Sequence, residues 1–259
     1  MNRIIPCLLV DNKALYKTIN FKNPRYLGDP FNTIRLFNGK EVDEIVVLDF
    51  GASRDKKHPD FDFIKKLASE CFMPICYGGG LSTIEDVEKV FRLGIDKVSF
   101  NTALHNNISL VKEAIKRYGS QSIVASIDYK IVESSYYVHI DNGRTNTRLE
   151  LIDFAKQIES IGVGELLVTS IDNEGTYKGY DEYLYKVCQT VKIPVSVNGG
   201  ANSFKEMKNA LERGASAAVA GSLFSFFGRK KAVIPNYLSY EEICTQVTEH
   251  KSVIKSEGS

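Results

Sequence analysis

The feature that most constrains this fold is an internal repeat. Residues 74–104, PICYGGGLSTIEDVEKVFRLGIDKVSFNTAL, align without a gap to residues 194–224, PVSVNGGANSFKEMKNALERGASAAVAGSLF, an offset of 120 positions. Each copy has the pattern of a short apolar strand, a glycine-rich turn, an amphipathic helix and a second strand. A chain that carries this unit twice is expected to fold as two equivalent halves.

Short apolar runs and longer amphipathic segments alternate along the rest of the chain. The apolar runs predict buried strands at 4–10, 45–48, 75–77, 97–100, 123–128, 165–169, 195–197 and 217–220. The amphipathic segments predict helices at 61–71, 83–93, 108–118, 149–161, 183–191 and 204–213. Eight such units predict one α/β domain, a (β/α)8 TIM barrel with half-barrels at about 1–120 and 121–225.

Two segments do not belong to this pattern. Residues 136–148 alternate and then turn at Asp141, Asn142 and Gly143, which predicts a hairpin inserted after the fifth strand. We expect it to lie as a flap on the carboxyl face of the strands. Residues 226–240 predict a packed linker to a last helix near 241–250, with a ligand-covering or partner-binding loop as the alternative.

Composition excludes several classes of function. The chain has 33 basic and 32 acidic side chains, so its net charge of +1 gives no case for nucleic acid or a membrane surface. The five cysteines lack a CxxC pair, and the four histidines lack metal-ligand spacing, so we expect reduced thiols, no metal and no cofactor. The first apolar run is too short for a signal peptide, which favours a cytoplasmic location.

The repeated glycine pairs are the strongest candidates for anion binding. Gly79 and Gly80 occupy the same place in the first copy as Gly199 and Gly200 in the second, each pair between a strand and a helix. Glycine lets backbone N–H groups approach an anion closely, although it also simply permits tight turns. The repeated hydroxyls of Thr102 and Ser222 favour phosphate, and two sites imply a ligand with a phosphate at each end.

Carboxylates at strand ends are the candidates for proton transfer. Asp128 ends the fifth strand, where it can act as an acid or base at the barrel mouth or can anchor a loop. Asp172 and Glu174 follow the sixth strand and have the same two alternatives. Lys17, in a predicted loop after the first strand, can hold a phosphate, and Asn101 can orient a substrate.

Several motifs resemble one known family. RIIPCLLV at Arg3, DKVSFNTAL at Asp96, SIDYK at Ser126, ELLVTSIDNEGT at Glu165 and NGGA at Asn198 are similar to the cyclase subunit of imidazole glycerol phosphate synthase. The likeness runs in register from about 3 to 226. Residues 96–103 favour this cyclase over its sister, the phosphoribosyl isomerase of the histidine pathway.

The resemblance implies a lyase-type reaction of histidine biosynthesis without a cofactor. A separate glutaminase subunit, forming a heterodimer, supplies ammonia through the barrel core to a bisphosphorylated ribulosyl aminoimidazole carboxamide. Imidazole glycerol phosphate and an aminoimidazole carboxamide ribotide are the products. Asp128 matches the acid-base residue of the fifth strand. The implied substrate and phosphate residues are Lys17, Gly79, Gly80, Asn101, Thr102, Gly175, Asn198, Gly199, Gly200, Gly221 and Ser222.

The amino-terminal ends of the strands match a second feature of that family. Arg3, Glu44, Lys97 and Glu165 correspond to a ring of alternating charges that gates ammonia entry, and Asp96 corresponds to a residue facing the glutaminase. All four ring residues stand at strand starts, so we expect them to converge on the barrel floor. Salt bridges that only close the barrel end are the alternative.

One position departs from the family where chemistry is expected. The first-strand aspartate of the cyclases is Leu9 here, and the repeat places Leu9 opposite Asp128. An acid-base partner contributes about 10²–10⁴ in rate, so ordinary cyclisation should be impaired unless another group substitutes. Glu174 stands where aspartate is usual and Asn198 where serine is usual, and both retain a polar group.

Three functions follow from these observations. The first is the ammonia-dependent cyclase, with Asp128 as its central residue. The second is a binding and conduit module that docks a glutaminase and passes ammonia to another acceptor. The chain resembles paralogues that are associated with amidation of surface-glycan sugars, and this resemblance implies such a sugar as the acceptor. The third is a sugar-phosphate isomerase, which needs two carboxylates that Leu9 does not provide.

Overall fold

The computed structural model describes residues 2–40, 42–227, 232–233, 235 and 237. Its strands are β1 (Arg3–Asp11), β2 (Ala14–Ile19), β3 (Lys22–Gly28), β4 (Ile45–Asp49), β5 (Ile75–Gly78), β6 (Lys97–Phe100), β7 (Ile123–Val132), β8 (Ser135–Ile140), β9 (Thr145–Glu150), β10 (Glu165–Ser170), β11 (Val195–Asn198), β12 (Ala217–Ala220), β13 (Phe226–Phe227) and β14 (Ala232–Val233). Its helices are α1 (Pro30–Asn38), α2 (Phe50–Asp55), α3 (Phe61–Glu70), α4 (Ile84–Arg92), α5 (Ala103–Asn106), α6 (Ile108–Tyr118), α7 (Leu151–Ser160), α8 (Tyr183–Thr190), α9 (Phe204–Glu212) and α10 (Ser222–Ser225).

Eight parallel strands form a closed barrel, as the sequence predicts. They pair in the order β10, β11, β12, β1, β4, β5, β6 and β7, and a pairing of β7 with β10 closes the ring. The eight predicted strands and the six predicted helices are all present, with shifts of a few residues at their ends. The fold is therefore a (β/α)8 barrel.

The barrel separates two apolar cores. Side chains of the inner core point into the barrel, because alternate residues of a strand face opposite sides of a sheet. The outer core lies between the strands and the helices and includes Val87 and Val90 of α4. The inner core consists of Ile5, Cys7, Val46, Cys76, Val124, Leu167, Ala217 and Val219. The two ends of the barrel are thus joined by a mostly apolar interior.

The predicted flap is present and is larger than the sequence indicates. β7 continues past the barrel to Val132 and pairs antiparallel with β8, which pairs with β9. Asp141, Asn142 and Gly143 form the predicted turn and all have positive φ. Asn142 Nδ2 donates to the carbonyl of Phe50 at 3.1 Å, so the turn reaches across the carboxyl face.

The structure also contains elements that the sequence does not predict. The hairpin β2–β3 follows β1, and α1 follows that hairpin. β3 is solvent-exposed along most of its length and therefore lacks the alternation that marks a strand. The prediction that Lys17 lies in a loop is wrong, because Lys17 belongs to β2.

The two copies of the repeat have the same order of elements. The first contains β5, α4, β6 and α5, and the second contains β11, α9, β12 and α10. After the second copy, β13 pairs with β14, and Tyr237 packs on Phe37 and Phe224. The last helix predicted at 241–250 and most of the segment 226–240 lie outside the described residues. The division into half-barrels stays a prediction.

The described cysteines have no disulfide. Cys7, Cys71, Cys76 and Cys188 are free thiols, and Cys244 lies outside the described residues. Within the described ranges, no three His, Cys, Asp or Glu side chains are grouped as metal ligands. No helix in that part of the chain is long and apolar enough to cross a membrane.

The glycine turns give a test of the backbone. Gly200 and Gly214 both have φ near +100°, which costs a residue with a Cβ roughly 1–2 kcal/mol. A Cβ on Gly200 would lie 2.1 Å from the carbonyl oxygen of Gly179, whereas one on Gly214 would have its nearest neighbour at 4.0 Å. We expect Gly200→Ala to lower the free energy of unfolding by about 1–3 kcal/mol more than Gly214→Ala, measured by urea unfolding. Equal losses would contradict this account of the turn.

Candidate active site

A cavity of about 680 Å³ opens at the carboxyl ends of the barrel strands. The strand ends carry polar side chains into it, and the hairpins β2–β3 and β8–β9 contribute to its walls. Gly79 and Gly80 follow β5, and Gly199 and Gly200 follow β11, four strands away in the ring. The two glycine turns therefore stand on opposite sides of one cavity.

Asp128 is the best-supported candidate for proton transfer. It lies where β7 passes from the barrel into the flap, and its side chain lines the cavity while only 8% of the residue is exposed. Burial raises the pKa of Asp128 to about 7, although hydrogen bonds from Thr169 and Asn101 act in the opposite direction. A carboxyl group with this pKa can both donate and accept a proton near neutral pH.

Two residues that are predicted to bind substrate also hold the carboxyl group of Asp128 in place through hydrogen bonds. Asn101 donates from Nδ2 to Asp128 Oδ2 at 3.0 Å and to the carbonyl of Ser126 at 3.0 Å. Asn198 donates from Nδ2 to Thr169 Oγ1 at 3.2 Å, and Thr169 is hydrogen-bonded to Asp128. The amides of Asn101 and Asn198 thus fix the carboxyl group directly and through Thr169.

Leu9 lies in the same cavity. It is the neighbour of Leu48 in the pairing of β1 with β4, and both line the cavity. The position that the resemblance assigns to a carboxylate therefore presents an apolar side chain. The other described carboxyl side chains that line the cavity have partners of their own: Asp49 caps α2, Asp141 accepts from Thr145, and Glu174 pairs with Lys17.

Glu174 and Lys17 form a buried ion pair. Each side chain is 7% exposed. Glu174 also accepts from Thr18 Oγ1 at 3.1 Å and from the backbone N–H of Phe21 at 3.2 Å. Lys17 Cε approaches Gly221 so closely that a Cβ there would lie 3.1 Å away. These contacts favour the loop-anchoring alternative for Glu174, which holds the hairpin β2–β3 against the cavity.

Asp172 does not line the cavity. Its Oδ2 accepts from the backbone N–H of Ile131 at 2.8 Å, and its carbonyl accepts from Asn20 Nδ2 at 2.6 Å. It therefore connects the hairpin β2–β3 to the strand extension that carries the flap. These contacts favour the loop-anchoring alternative for Asp172, and catalytic support from this residue stays a prediction.

The glycines of the turns need their conformation whether or not an anion binds. Gly79, Gly80, Gly199 and Gly200 all have positive φ, and Cβ atoms on them would overlap neighbouring backbone. Gly175 has the same property and lies against the carbonyl of Thr18. Tight packing thus explains these glycines fully. The evidence for anion binding is instead that both pairs line one cavity with Thr102, Gly221 and Ser222.

Some residues of the cavity are absent from the sequence-based prediction. Thr169 has a usable signal, because it lies four residues after Glu165 on β10 and so faces the barrel interior as Glu165 does. Tyr177 donates from its hydroxyl to the carbonyl of Ser222 at 2.9 Å, but it comes from an irregular loop without a sequence pattern. Arg144, on the flap, also lines the cavity.

The four predicted charges converge on the opposite end of the barrel. Arg3 pairs with Glu165 at 2.7 Å and also with Glu44, and Lys97 pairs with Glu44 at 2.9 Å and with Glu165 at 3.1 Å. Although burial opposes ionisation, Arg3 and Lys97 hold the pKa of Glu165 below its ordinary value. The ring closes the floor with each cation bound to both anions.

Two further residues adjoin this ring. Ser196 donates from its hydroxyl to Glu165 on the interior side. Asp96 is solvent-exposed, and its Oδ2 accepts from the backbone N–H of Ile75 at 2.9 Å. Asp96 therefore braces the start of β5 while its side chain remains accessible at the floor.

The fold and the cavity define a (β/α)8 barrel of the enzyme type, with the buried carboxyl group of Asp128 between two opposed glycine turns. The chain belongs to the histidine biosynthesis protein family, whose model matches residues 3–230. The resemblance to the cyclase subunit is thereby confirmed at the level of the family.

Named relatives agree with this assignment. A putative imidazole glycerol phosphate synthase subunit, hisF2, of Pseudomonas aeruginosa is 45% identical over 238 residues, covering 91% of this chain and 95% of the relative. A putative subunit hisF3 of Vibrio vulnificus is 41% identical, covering 93% of this chain and 94% of the relative. The synthase subunit HisF of a Hydrogenobaculum species is 41% identical, covering 92% and 94%.

The buried carboxyl group gives a pH-dependent test. Because the pKa of Asp128 is about 7 in the folded protein and near 4 in an unfolded chain, unfolding releases a proton between these pH values. The contribution of Asp128 to the free energy of unfolding should then fall by about 1.4 kcal/mol per pH unit from pH 4 to pH 7. Asp128→Asn should remove this dependence, measured by urea unfolding at several pH values.

The control for that experiment is Asp153→Asn, which changes an exposed carboxylate of α7. Its difference from the parent protein should stay constant over the same pH range. If Asp128→Asn also gives a constant difference, the carboxyl group of Asp128 does not titrate near neutrality in the folded protein.

Proposed function

We propose that this protein is the cyclase subunit of a glutamine amidotransferase of the imidazole glycerol phosphate synthase type. The observation that carries the proposal is Asp128, a buried carboxyl group with a pKa of about 7 in a cavity between two opposed glycine turns. Relatives named as this synthase subunit, aligned over more than nine-tenths of the chain, support the same reaction.

In this proposal, the cavity holds a ligand with an anion at each end. One phosphate of a bisphosphorylated ribulosyl aminoimidazole carboxamide would lie at Gly79, Gly80 and Thr102, and the other at Gly199, Gly200, Gly221 and Ser222. Backbone N–H groups and hydroxyls supply the hydrogen bonds, and Lys17, which is paired with Glu174, lies beside Gly221. The centre of such a ligand would then lie over Asp128.

Asp128 is the group that moves protons in this proposal. Its protonated form can donate to the nitrogen that leaves when the substrate is cleaved, and its carboxylate can accept a proton from the nitrogen that closes the imidazole ring. Asn101 and Thr169 hold the carboxyl group in place during both steps. The pKa near neutrality suits one residue to both tasks.

The floor of the barrel suits a separate source of ammonia. In the proposal, a glutaminase subunit docks on the face that bears Asp96, and ammonia passes the ring of Arg3, Glu44, Lys97 and Glu165. Ammonia would cross as the neutral molecule, because the apolar side chains of the inner core beyond the ring carry no negative charge to balance ammonium. Displacement of one ion pair of the ring would open the floor.

Leu9 favours a second candidate. With no carboxylate at this position, and with the other lining carboxylates engaged elsewhere, the cavity holds one proton-transfer group where the cyclases have two. The same barrel would then act as a conduit that passes ammonia to a different acceptor, such as a surface-glycan sugar on another enzyme. Leu9 likewise weighs against the isomerase alternative.

A substitution at position 9 tests the proposed reaction. The quantity to measure is the rate at which the purified protein converts the bisphosphorylated substrate, with ammonium salt as the nitrogen source. If Leu9 limits the chemistry, Leu9→Asp should raise the rate by about 10²–10⁴, since it restores an acid-base group. Leu9→Asn is the matched control, because asparagine is polar and has the size of aspartate but cannot exchange a proton. If the parent protein converts the substrate as fast as Leu9→Asp does, a second carboxylate is not needed for the reaction.

Binding measurements separate the two candidates. The cyclase candidate predicts that the bisphosphorylated substrate binds to the purified chain in calorimetry and that Thr102→Val and Ser222→Ala each weaken binding, because each removes a hydroxyl from one turn. The conduit candidate predicts a stable complex with a glutaminase and no binding of this substrate. If the protein neither forms a complex with a glutaminase nor binds the substrate, both candidates are contradicted.

A further inference from the structure

Each half of the barrel has a hairpin after its first strand. In the first half, β2–β3 follows β1, and in the second half, β8–β9 follows the barrel part of β7. Each hairpin reaches the end of the strand on the other side of the half-barrel boundary. Lys17 of the first hairpin lies beside Gly221, which follows β12. The turn of the second hairpin contacts Thr102, which follows β6.

The turn of the second hairpin is held by several hydrogen bonds. Lys130 Nζ donates to the carbonyl of Gly143 at 2.9 Å, and Asn142 Nδ2 donates to the carbonyl of Phe50 at 3.1 Å. The backbone N–H of Asp141 donates to Thr102 Oγ1 at 3.4 Å. These contacts fix the backbone of the turn at the side of the cavity where Gly79, Gly80 and Thr102 lie.

Arg144 follows this turn, is exposed to solvent and lines the cavity. Its Nε donates to the carbonyl of Asp141 at 2.9 Å, and this bond occupies one edge of the guanidinium group. Among the described residues, its two terminal nitrogens have no carboxylate partner. A guanidinium with free terminal donors is suited to bidentate binding of a phosphate group.

The other basic side chains of the cavity are less available. Arg54 pairs with Asp11 and Asp55, Lys57 pairs with Asp55, and Lys17 pairs with Glu174. Lys56 has no carboxylate partner among the described residues, but it ends α2 in a left-handed conformation and no described contact fixes its side chain. Arg144 therefore combines free donors with a fixed backbone.

We propose that Arg144 binds the anionic group held at Gly79, Gly80 and Thr102, and that the flap is the cover of this end of the ligand. The ligand class is a phosphate monoester, and the inference rests on the proposed function only in taking this phosphate as one end of a bisphosphorylated substrate. Lys17 is the counterpart at the other end. Because Lys17 is already neutralised by Glu174, the two ends of the cavity differ in charge.

Inorganic phosphate is the probe that tests this assignment. Phosphate is titrated into the full chain while the backbone amide resonances of Gly80 and Thr102 report on one turn and those of Gly200 and Ser222 on the other. Arg144→Ala should weaken binding at the first turn by about tenfold or more, the loss expected for a charged hydrogen-bond donor. Binding at the second turn should not change, which provides an internal control.

Two further variants sharpen the result. Arg148→Ala removes the same charge from an exposed position on β9 that does not line the cavity, so phosphate binding should match the parent protein. Arg144→Lys retains the charge without the planar pair of donors, so it should restore only part of the affinity. Equal weakening by Arg144→Ala and Arg148→Ala would show a general charge effect and overturn the assignment.

The test of Arg144 and the test of the proposed function can give different results. If phosphate binds at the first turn in an Arg144-dependent way but the bisphosphorylated ribulosyl substrate does not bind, the role of Arg144 stands and the cyclase reaction does not. If the substrate binds and turns over equally in the parent protein and in Arg144→Ala, the reaction stands and the role of Arg144 is overturned. Absence of any phosphate response at Gly80 and Thr102 also overturns it.

Discussion

The closure of the barrel by the pairing of β7 with β10 is the constraint on which the rest of the structure depends. Once eight parallel strands form a ring, every second side chain of each strand must occupy the interior. Only the two ends of that interior can hold charged groups without a high desolvation cost. Charged residues at strand starts therefore meet at the floor, and polar residues at strand ends meet at the mouth. The apolar inner core separates the two sites.

The desolvation cost of the buried polar groups is offset in different ways at the two ends of the barrel. At the floor, two cations and two anions share four contacts, so each buried charge is compensated by opposite charges. At the mouth, Asp128 has amide and hydroxyl partners but no ion pair within the part of the chain that the structure describes, so its burial raises its pKa to about 7. A second buried carboxylate at position 9 would repel the ionised form of Asp128 and raise its pKa further. Leu9 leaves burial as the main cause, and Asp128 can exchange protons near neutral pH without a partner.

The parts of the molecule that follow from strand periodicity could be predicted from the sequence. The eight strands, the convergence of Arg3, Glu44, Lys97 and Glu165, and the position of Asp128 all depend only on where an apolar run begins or ends. The hairpin β2–β3 could not be found in this way, because β3 is exposed and its residues do not alternate. The position of Lys17 on β2 and its pairing with Glu174 follow from that hairpin, so the sequence placed Lys17 in a loop.

Long-range contacts of loops were also beyond the sequence pattern. Asp172 and Glu174 are two residues apart in one loop, yet one connects two hairpins outside the cavity and the other pairs with Lys17 inside it. Nothing in their spacing distinguishes these roles, because the irregular backbone between β10 and α8 decides which way each side chain points. The same argument applies to Arg144, whose place in the cavity depends on the contacts of its turn with Phe50 and Thr102.

The two predicted halves of the barrel differ at the mouth of the cavity. Their strands, glycine turns and helices are equivalent, but Leu9 stands opposite Asp128 in the repeat, and the hairpin cations differ in their partners. A symmetric cavity would hold a two-ended ligand in either orientation with equal free energy. Lys17 is paired with Glu174 at one end, whereas the terminal nitrogens of Arg144 have no carboxylate partner among the described residues, so the proposed ligand would bind unequally in the two orientations. In the proposed reaction, Asp128 is the one acid-base group and lies on a single strand. Only one orientation of the ligand would then bring a given atom to Asp128, so charge and proton transfer would select the same orientation.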